Sequence, residues 1–242
     1  MNPAIEILKQ ARGTVFVSED GDEYPFTLLP PLTESELRTL AARIPCPLPE
    51  DVRDLLAFAR GFDDVLESID FSGLGGGFGM KEIFPCAVPI AHDGFGNYWV
   101  VDLTKNSTAW GPIFYACHDA PTIVYQTDSL AHFISEVLRF GNAPWKSEID
   151  DVHEQWSNRV WSQNPGVLSH ADCMASSDPD LKAFAQTLDE SWQFVDLRAP
   201  KLGDGFSWGR YGPRTANKRF GDKRIFAYQK KSRGRRFLDA LW

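Results

Sequence analysis

Hydrophobic residues in the N-terminal part of the chain recur at helical spacing in two segments. The apolar positions of these two stripes are Leu37, Leu40, Ala41 and Ile44, followed by Val52, Leu55, Leu56 and Ala59. Thr33 and Glu36 have the spacing of a capping box before the first stripe, and Gly61 lies where the second helix needs a C-terminal cap. The pattern predicts two amphipathic helices, preceded by a short helix at residues 3–11 and a hairpin that turns at residues 19–22.

Five strand-like runs follow these helices, and turn-forming residues separate them. The runs span residues 68–72, 82–90, 97–103, 112–118 and 122–127. In the third run, alternation places Val100 and Asp102 on one face of the strand and Trp99 on the other, so we expect Trp99 in the core. A third amphipathic helix begins after residues 128–129 and ends at Gly141. The order helix, helix, sheet, helix predicts an α+β fold in which helices pack against a mostly antiparallel sheet.

The hydrophobic pattern weakens in the last hundred residues. One helix is predicted after Ser147 and another from Pro179, and residues 224–229 resemble a strand. We therefore expect two parts. Residues 1–143 form the α+β domain, and residues 144–242 form a smaller C-terminal extension with a helical segment and a basic aromatic tail.

Composition limits the class of protein. Of the 242 residues, 43% are hydrophobic and 13% aromatic, which is enough for a core and too aromatic for a long disordered chain. The longest apolar stretch contains two prolines and is far shorter than the roughly 20 residues that a bilayer span needs. The first residues lack the basic and apolar regions of a secretory signal, so we expect a cytoplasmic protein. None of Cys46, Cys86, Cys117 and Cys173 has CxxC spacing, so we expect neither a zinc site nor a disulfide framework.

Charge is divided unevenly along the chain. Residues 201–242 contain 12 basic and 3 acidic residues, a net charge of +9, which leaves −17 for residues 1–200. Basic residues alternate with aromatic residues in this tail, a composition that can bind single-stranded nucleic acid. The acidic body would repel phosphates, however, and the aromatic residues need cover. We expect the tail to fold back on the body; nucleic acid and a separate protein partner are the alternatives.

Four stretches of the sequence form an ordered set of motifs. They are LTESELRTLAARIPCPLPEDVRDLLAFARGFD, IAHDGFGNYWVVDL, GPIFYACHD and DSLAHFISEVL. The first resembles the acidic helix, Leu-Pro-Glu turn and second helix that open the cell-wall-assembly regulator (Smi/Knr-type) family of the SUKH superfamily. The others resemble that family's Gly-x-Gly hairpin with its aromatic strand, its last strands and its final helix. The likeness covers residues 32–141, and it departs from the family at Arg60-Gly61, where Asn-Gly is usual.

The resemblance implies binding rather than chemistry. Bacterial members of the family are often immunity proteins that neutralise a cognate toxin, frequently a nuclease, and fungal members are scaffolds in cell-wall signalling. The family has no established catalytic residues that could be carried over. We therefore expect a non-catalytic protein-binding domain, an immunity protein whose acidic surface faces a basic toxin. The alternative is a regulatory or scaffold module without a toxin partner.

Three motifs could in principle form a catalytic or ligand-binding site, and we expect none of them to do so. The glycines of residues 71–80 do not have the spacing of a dinucleotide-binding loop, and we expect a connecting loop there. Cys117 and His118 point to opposite faces of a strand, so they cannot act together as nucleophile and base. Asp150, His153 and Glu154 share a helix face, which we interpret as a solvated surface.

Candidate partner-binding residues come from the acidic segment after the second helix, the predicted hairpin, and the region that follows the aromatic strand. They are Asp63, Asp64, Glu67, Asp70, Asp93, Gly94, Gly96, Asn97, Asp102 and Trp110. In the hairpin, glycine and asparagine also supply the positive φ that a tight turn requires. We expect a protein partner, no catalytic residue, no cofactor, no metal and no membrane contact, and the acidic body disfavours nucleic acid.

Overall fold

A computed structural model describes residues 2–18, 20–63, 68–74, 79–212 and 214–230 of the chain. Its helices are α1 (Pro3–Gln10), α2 (Glu34–Arg43), α3 (Glu50–Phe58), α4 (Leu130–Phe140), α5 (Glu148–Asp150), α6 (Ser157–Gln163), α7 (His170–Ala175) and α8 (Pro179–Gln186). A π-helical segment, Asp151–Trp156, joins α5 to α6. Among the described residues, no helix combines the length and apolar character needed to cross a bilayer.

Within the described residues, the strands form three antiparallel sheets. They are β1 (Val15–Val17), β2 (Glu23–Pro25), β3 (Thr27–Leu28), β4 (Gly61–Asp63), β5 (Ser68–Asp70), β6 (Ala87–His92), β7 (Tyr98–Asp102), β8 (Ile113–Cys117), β9 (Thr122–Thr127), β10 (Leu168–Ser169), β11 (Trp192–Asp196), β12 (Gly205–Phe206), β13 (Asn217–Arg219) and β14 (Ile225–Gln229). Strands β1 and β2 pair alone. The large sheet has the order β12-β9-β8-β7-β6-β5-β4-β3, and the small sheet has the order β10-β11-β14-β13. The predicted α+β class is confirmed.

One face of the large sheet is covered by α1 to α6. Local signals define several of these helices: Thr33 and Glu36 form the predicted capping box of α2, and Ser129 caps α4. The apolar stripes then pack on the sheet face that carries Trp99, which is fully buried as predicted. The run from α5 to α6 follows residue 143, where we placed the domain boundary, yet its apolar residues lie in this same core.

The opposite face of the large sheet is covered by the small sheet. Val100, Phe114 and Ile123 from the large sheet pack against Phe226 and Tyr228 of β14. Helices α7 and α8 pack on the outer face of the small sheet. The described residues are therefore arranged in four layers, helices, large sheet, small sheet and helices, and other parts of the chain cover both faces of the large sheet.

The described part of the basic tail, residues 201–212 and 214–230, folds onto the body. Strand β12 adds to the edge of the large sheet beside β9, and β13 and β14 belong to the small sheet. Aromatic residues carry much of this packing, since the Phe206 ring stacks on Phe226 with centroids 5.1 Å apart. The docking that we expected is confirmed for these residues. The rest of the tail, residues 231–242, lies outside the described residues.

Several local predictions are wrong or incomplete. Gly61 does not cap α3; it begins β4, where an added Cβ would lie 1.9 Å from the carbonyl oxygen of Ile69 on the neighbouring strand. The predicted strand at 82–90 begins only at Ala87, because the preceding residues form turns. Four strands and α7 in the C-terminal part were not predicted, since short elements of two to six residues carry little periodicity.

Candidate functional site

The residues that the sequence singled out fall into two groups, which lie at opposite ends of the large sheet. In these antiparallel pairs, the end of β4 lies beside the start of β5, and Ser68 at the start of β5 pairs with His92 at the end of β6. The end of β4, the start of β5 and the β6–β7 turn therefore lie at the same end of the sheet. The β8–β9 turn lies there too, since Ala116 pairs with both Tyr98 and Ile123. We call this the hairpin end. Of the predicted partner-binding residues described here, Asp63, Asp93, Gly94, Gly96 and Asn97 lie at the hairpin end, and Asp70, Asp102 and Trp110 lie at the opposite end.

The β6–β7 turn, residues 93–97, is held together by the carboxylate of Asp93. Asp93 Oδ1 accepts hydrogen bonds from the backbone amides of Phe95 at 2.9 Å and Asn97 at 3.2 Å. Asp93 Oδ2 accepts a hydrogen bond from Asn97 Nδ2 at 2.6 Å. Gly94 and Gly96 have φ angles of 75° and 92°, in the left-handed region that glycine adopts without strain. Asp93 and Asn97 are therefore occupied in shaping the turn.

A histidine from the helical layer links this turn to the core. In the π-helical segment, His153 Nε2 lies 3.2 Å from Asp93 Oδ2, and His153 Nδ1 lies 3.2 Å from Glu154 Oε1. The imidazole also stacks on the buried Trp99 ring, with an interplanar angle of 22°. The interpretation of this helix face as simply solvated is wrong for His153, which is half-buried and bound to the turn.

The contacts of Asp93 and His153 shift the pKa values of both groups. Burial would raise the pKa of Asp93, but hydrogen bonds from His153, Asn97 and two backbone amides outweigh it and hold that pKa far below its usual 3.8. The hydrogen bond to Asp93 raises the pKa of His153 above its usual 6.5, against the opposing effect of partial burial. In weakly acidic solution, therefore, the aspartate is charged and the imidazole is protonated, so both members of the pair are ionised.

A second histidine lies on the other flank of the turn. The backbone amide of His118 donates to Asn97 Oδ1 at 2.8 Å, and His118 Nδ1 lies 3.2 Å from the same oxygen. His118 Nε2 lies 3.4 Å from Asp119 Oδ1. The turn is thus flanked by two histidine–carboxylate pairs. The outer carboxylates, Asp119 and Glu154, are about two-thirds exposed, at 67% and 66%.

The tip of the turn presents an aromatic side chain to solvent. Phe95 is 76% exposed, although the backbone on both sides of it is held by hydrogen bonds and by the packing of Gly96 near the His118 ring. Sequence reasoning singled out the glycines of this turn and missed Phe95. The signal that could have found it is an apolar residue between two glycines in a turn.

Asp102 is the clearest departure from the predicted site. Its carboxylate is fully buried and binds two arginines of the C-terminal part: Oδ1 lies 2.7 Å from Arg219 Nη1, and Oδ2 lies 2.7 Å from Arg224 Nε. Strand alternation places Asp102 on the face of Val100, and the small sheet covers that face. The prediction that the Asp102 side chain is a partner-binding surface is corrected for this reason.

The remaining candidates also differ in their exposure. The Trp110 side chain is buried in the core of the helical face, so it is not presented to a partner. Asp70 lies near Arg60 and accepts hydrogen bonds from the amide and hydroxyl of Ser72. Asp63 is exposed at the hairpin end. Asp64 and Glu67 lie outside the described residues.

The other places that could support chemistry are the Cys117–His118 pair and a cleft at the opposite end of the sheet. Cys117 is buried while His118 is exposed, as expected for neighbours on opposite faces of a strand. Within the described residues, no group of three or more histidine, cysteine or acidic side chains could hold a metal ion. A cleft of about 760 Å³ lies at the opposite end, between residues 104–112 and 220–224. Its two cations, Lys223 and Arg224, are already paired with Asp180 and Asp102.

Comparisons with known proteins bear on the first part of the chain. Searches of the curated proteins and of the solved structures found no significant match. The segment that matches a family model contains α2, α3, the central strands of the large sheet and most of α4. The strand ends and turns of the hairpin end fall within it, whereas His153 and Glu154 lie outside it. Residues 31–136 match the model of the SMI1 / KNR4 family (SUKH-1), and this match confirms the family resemblance that the sequence motifs predict.

Proposed function

We propose that this chain is a non-catalytic binding protein of the immunity type, which neutralises a toxin domain by covering a basic surface of it. The observation that carries the proposal is the hairpin end, where an ordered turn is flanked by exposed carboxylates. The family match supports a binding role, because the SUKH resemblance implies proteins that act through protein partners.

Charge supports a basic partner. Asp63, Asp119 and Glu154 are exposed at the hairpin end, and the whole chain carries a net charge of −8. Toxins that cleave nucleic acids need basic surfaces to hold phosphate groups. An acidic inhibitor can both block such a surface and associate with it faster through electrostatic steering.

Rescue from toxicity tests the proposal. Toxin domains encoded next to the gene of this protein are expressed in bacteria with and without this chain, and growth is measured. We expect the chain to restore growth against one of them and to bind it in isolation. If no neighbouring toxin domain is neutralised or bound, the immunity role is wrong, and a regulatory or scaffold module without a toxin partner becomes the better interpretation.

The salt dependence of association tests the electrostatic mechanism. We expect the association rate to fall about tenfold or more between low and high salt. The double variant Asp119→Lys/Glu154→Lys should slow association at low salt. A control with the same change in net charge, Asp54→Lys/Glu190→Lys, alters exposed acids outside the hairpin end and should slow it less. Equal effects of the two double variants would show that the hairpin end is not the contact surface.

A further inference from the structure

The Phe95 side chain stands apart from the other exposed apolar residues. Among the described residues, the other large apolar side chains with substantial exposure are Val15, Val17, Tyr24 and Trp161, at 36% to 46%, compared with 76% for Phe95. Single exposed apolar residues are common on protein surfaces and need no special explanation. Phe95 is unusual because of how firmly the residues around it are held.

The turn that carries Phe95 is ordered before any partner arrives. The amide of Phe95 itself donates to Asp93 Oδ1, and His153 and Asn97 hold the other carboxylate oxygen. An added Cβ at Gly96 would lie 3.3 Å from the His118 ring, so this flank of the turn is closely packed. A side chain presented by an ordered loop loses little conformational entropy on binding, and more of its contact energy then appears as affinity.

The rest of the sheet offers few alternative surfaces to a partner. The helical layer covers one face of the large sheet, and the small sheet covers the other. The hairpin end is one of the two ends at which the sheet meets solvent, and Phe95 lies there together with the exposed carboxylates of Asp119 and Glu154. An apolar projection with acidic neighbours is complementary to an apolar pocket with basic neighbours.

We propose that Phe95 is the anchor residue of the partner interface, and that it inserts into an apolar pocket of the partner protein bordered by lysine or arginine side chains. This inference rests on the proposed function and adds the residue and the chemistry of the complementary surface. Interface energy is concentrated in a few residues, often aromatic ones, that fill a pocket and lose contact with water, while charged groups at the rim mainly set the association rate.

The test compares two aromatic truncations in the full chain, with the toxin domain that the wild-type protein neutralises as the probe. Phe95→Ser removes the anchor, and Tyr24→Ser removes an exposed aromatic side chain from β2, which pairs with β1 in a sheet separate from the large sheet. We expect Phe95→Ser to weaken binding by about 30-fold or more, and Tyr24→Ser by less than about threefold. Phe95→Trp should retain most of the affinity. Equal melting temperatures would show that all variants are folded.

Separate rate constants distinguish the anchor from the charged rim. Phe95→Ser should raise the dissociation rate, whereas Asp119→Lys/Glu154→Lys should lower the association rate. If the wild-type chain neutralises a toxin domain and Phe95→Ser binds it as tightly, the anchor is wrong while the proposed function stands. If the wild-type chain neutralises none of the domains tested, the proposed function fails and this inference fails with it.

Discussion

Replacing Asp102 by asparagine should destabilise the whole fold, because this carboxylate joins the two parts of the chain. It is fully buried, and it binds Arg219 through both oxygens, at 2.7 and 3.0 Å, and Arg224 through one, at 2.7 Å. Arg219 is itself only 3% exposed, so it has little access to water once its counter-charge is removed. Its other partners are the carbonyl oxygens of Ile83, Asp222 and Lys223.

The expected loss is about 3 kcal/mol of unfolding free energy. Removing one member of a buried ion pair costs about 3–5 kcal/mol, since the remaining charge stays in a poorly solvated site. We expect the lower value because asparagine still offers one acceptor oxygen, and because Arg224 reaches solvent. For a chain of this size, that loss lowers the melting temperature by roughly 10 °C.

Urea denaturation at low salt, followed by tryptophan fluorescence and by circular dichroism, measures the loss directly. The control Glu34→Gln breaks the exposed pair with Arg53, and it should change the unfolding free energy by less than about 1 kcal/mol. In the double variant Asp102→Asn/Arg219→Gln, part of the loss should be recovered, because the uncompensated charge is gone. If Asp102→Asn behaves like the exposed control, the buried ion cluster does not hold the two parts together.

Three further predictions test the packing and the electrostatics. Gly61→Ala should cost at least about 2 kcal/mol in urea denaturation, because its Cβ would meet the backbone of the next strand, whereas Gly79→Ala, with open space around it, should be nearly neutral. The stabilising contribution of His153 should be complete below pH 6.5 and decline as pH rises through its raised pKa; the His153→Gln variant should lack that part of the pH profile of unfolding free energy. A chain without residues 164–242 should bind a hydrophobic dye strongly and aggregate, since it exposes one apolar face of the large sheet; a soluble, dye-free product would contradict the four-layer packing.

Much of the fold follows from signals within a few residues of each element. The capping box of α2, the cap of α4 and the bounds of β9 at 122–127 all agree with the sequence reading. These features depend on hydrogen bonds and periodicity within one element, so neighbouring residues suffice to predict them. The candidate site was predicted in part for the same reason: the glycines of the β6–β7 turn identify the turn, whatever packs around it.

What the sequence alone determined is most of the elements in the first part of the chain, their α+β class, their family resemblance and the position of the turn at residues 93–97. The tertiary structure alone decided which side chains are free to meet a partner. Asp102 and Phe95 illustrate this: a carboxylate that looked like surface is buried under the small sheet, and an apolar residue is left in solvent. Burial depends on strands and helices far apart in the chain, such as β14 against β8 or His153 against Asp93, and no local pattern specifies these contacts.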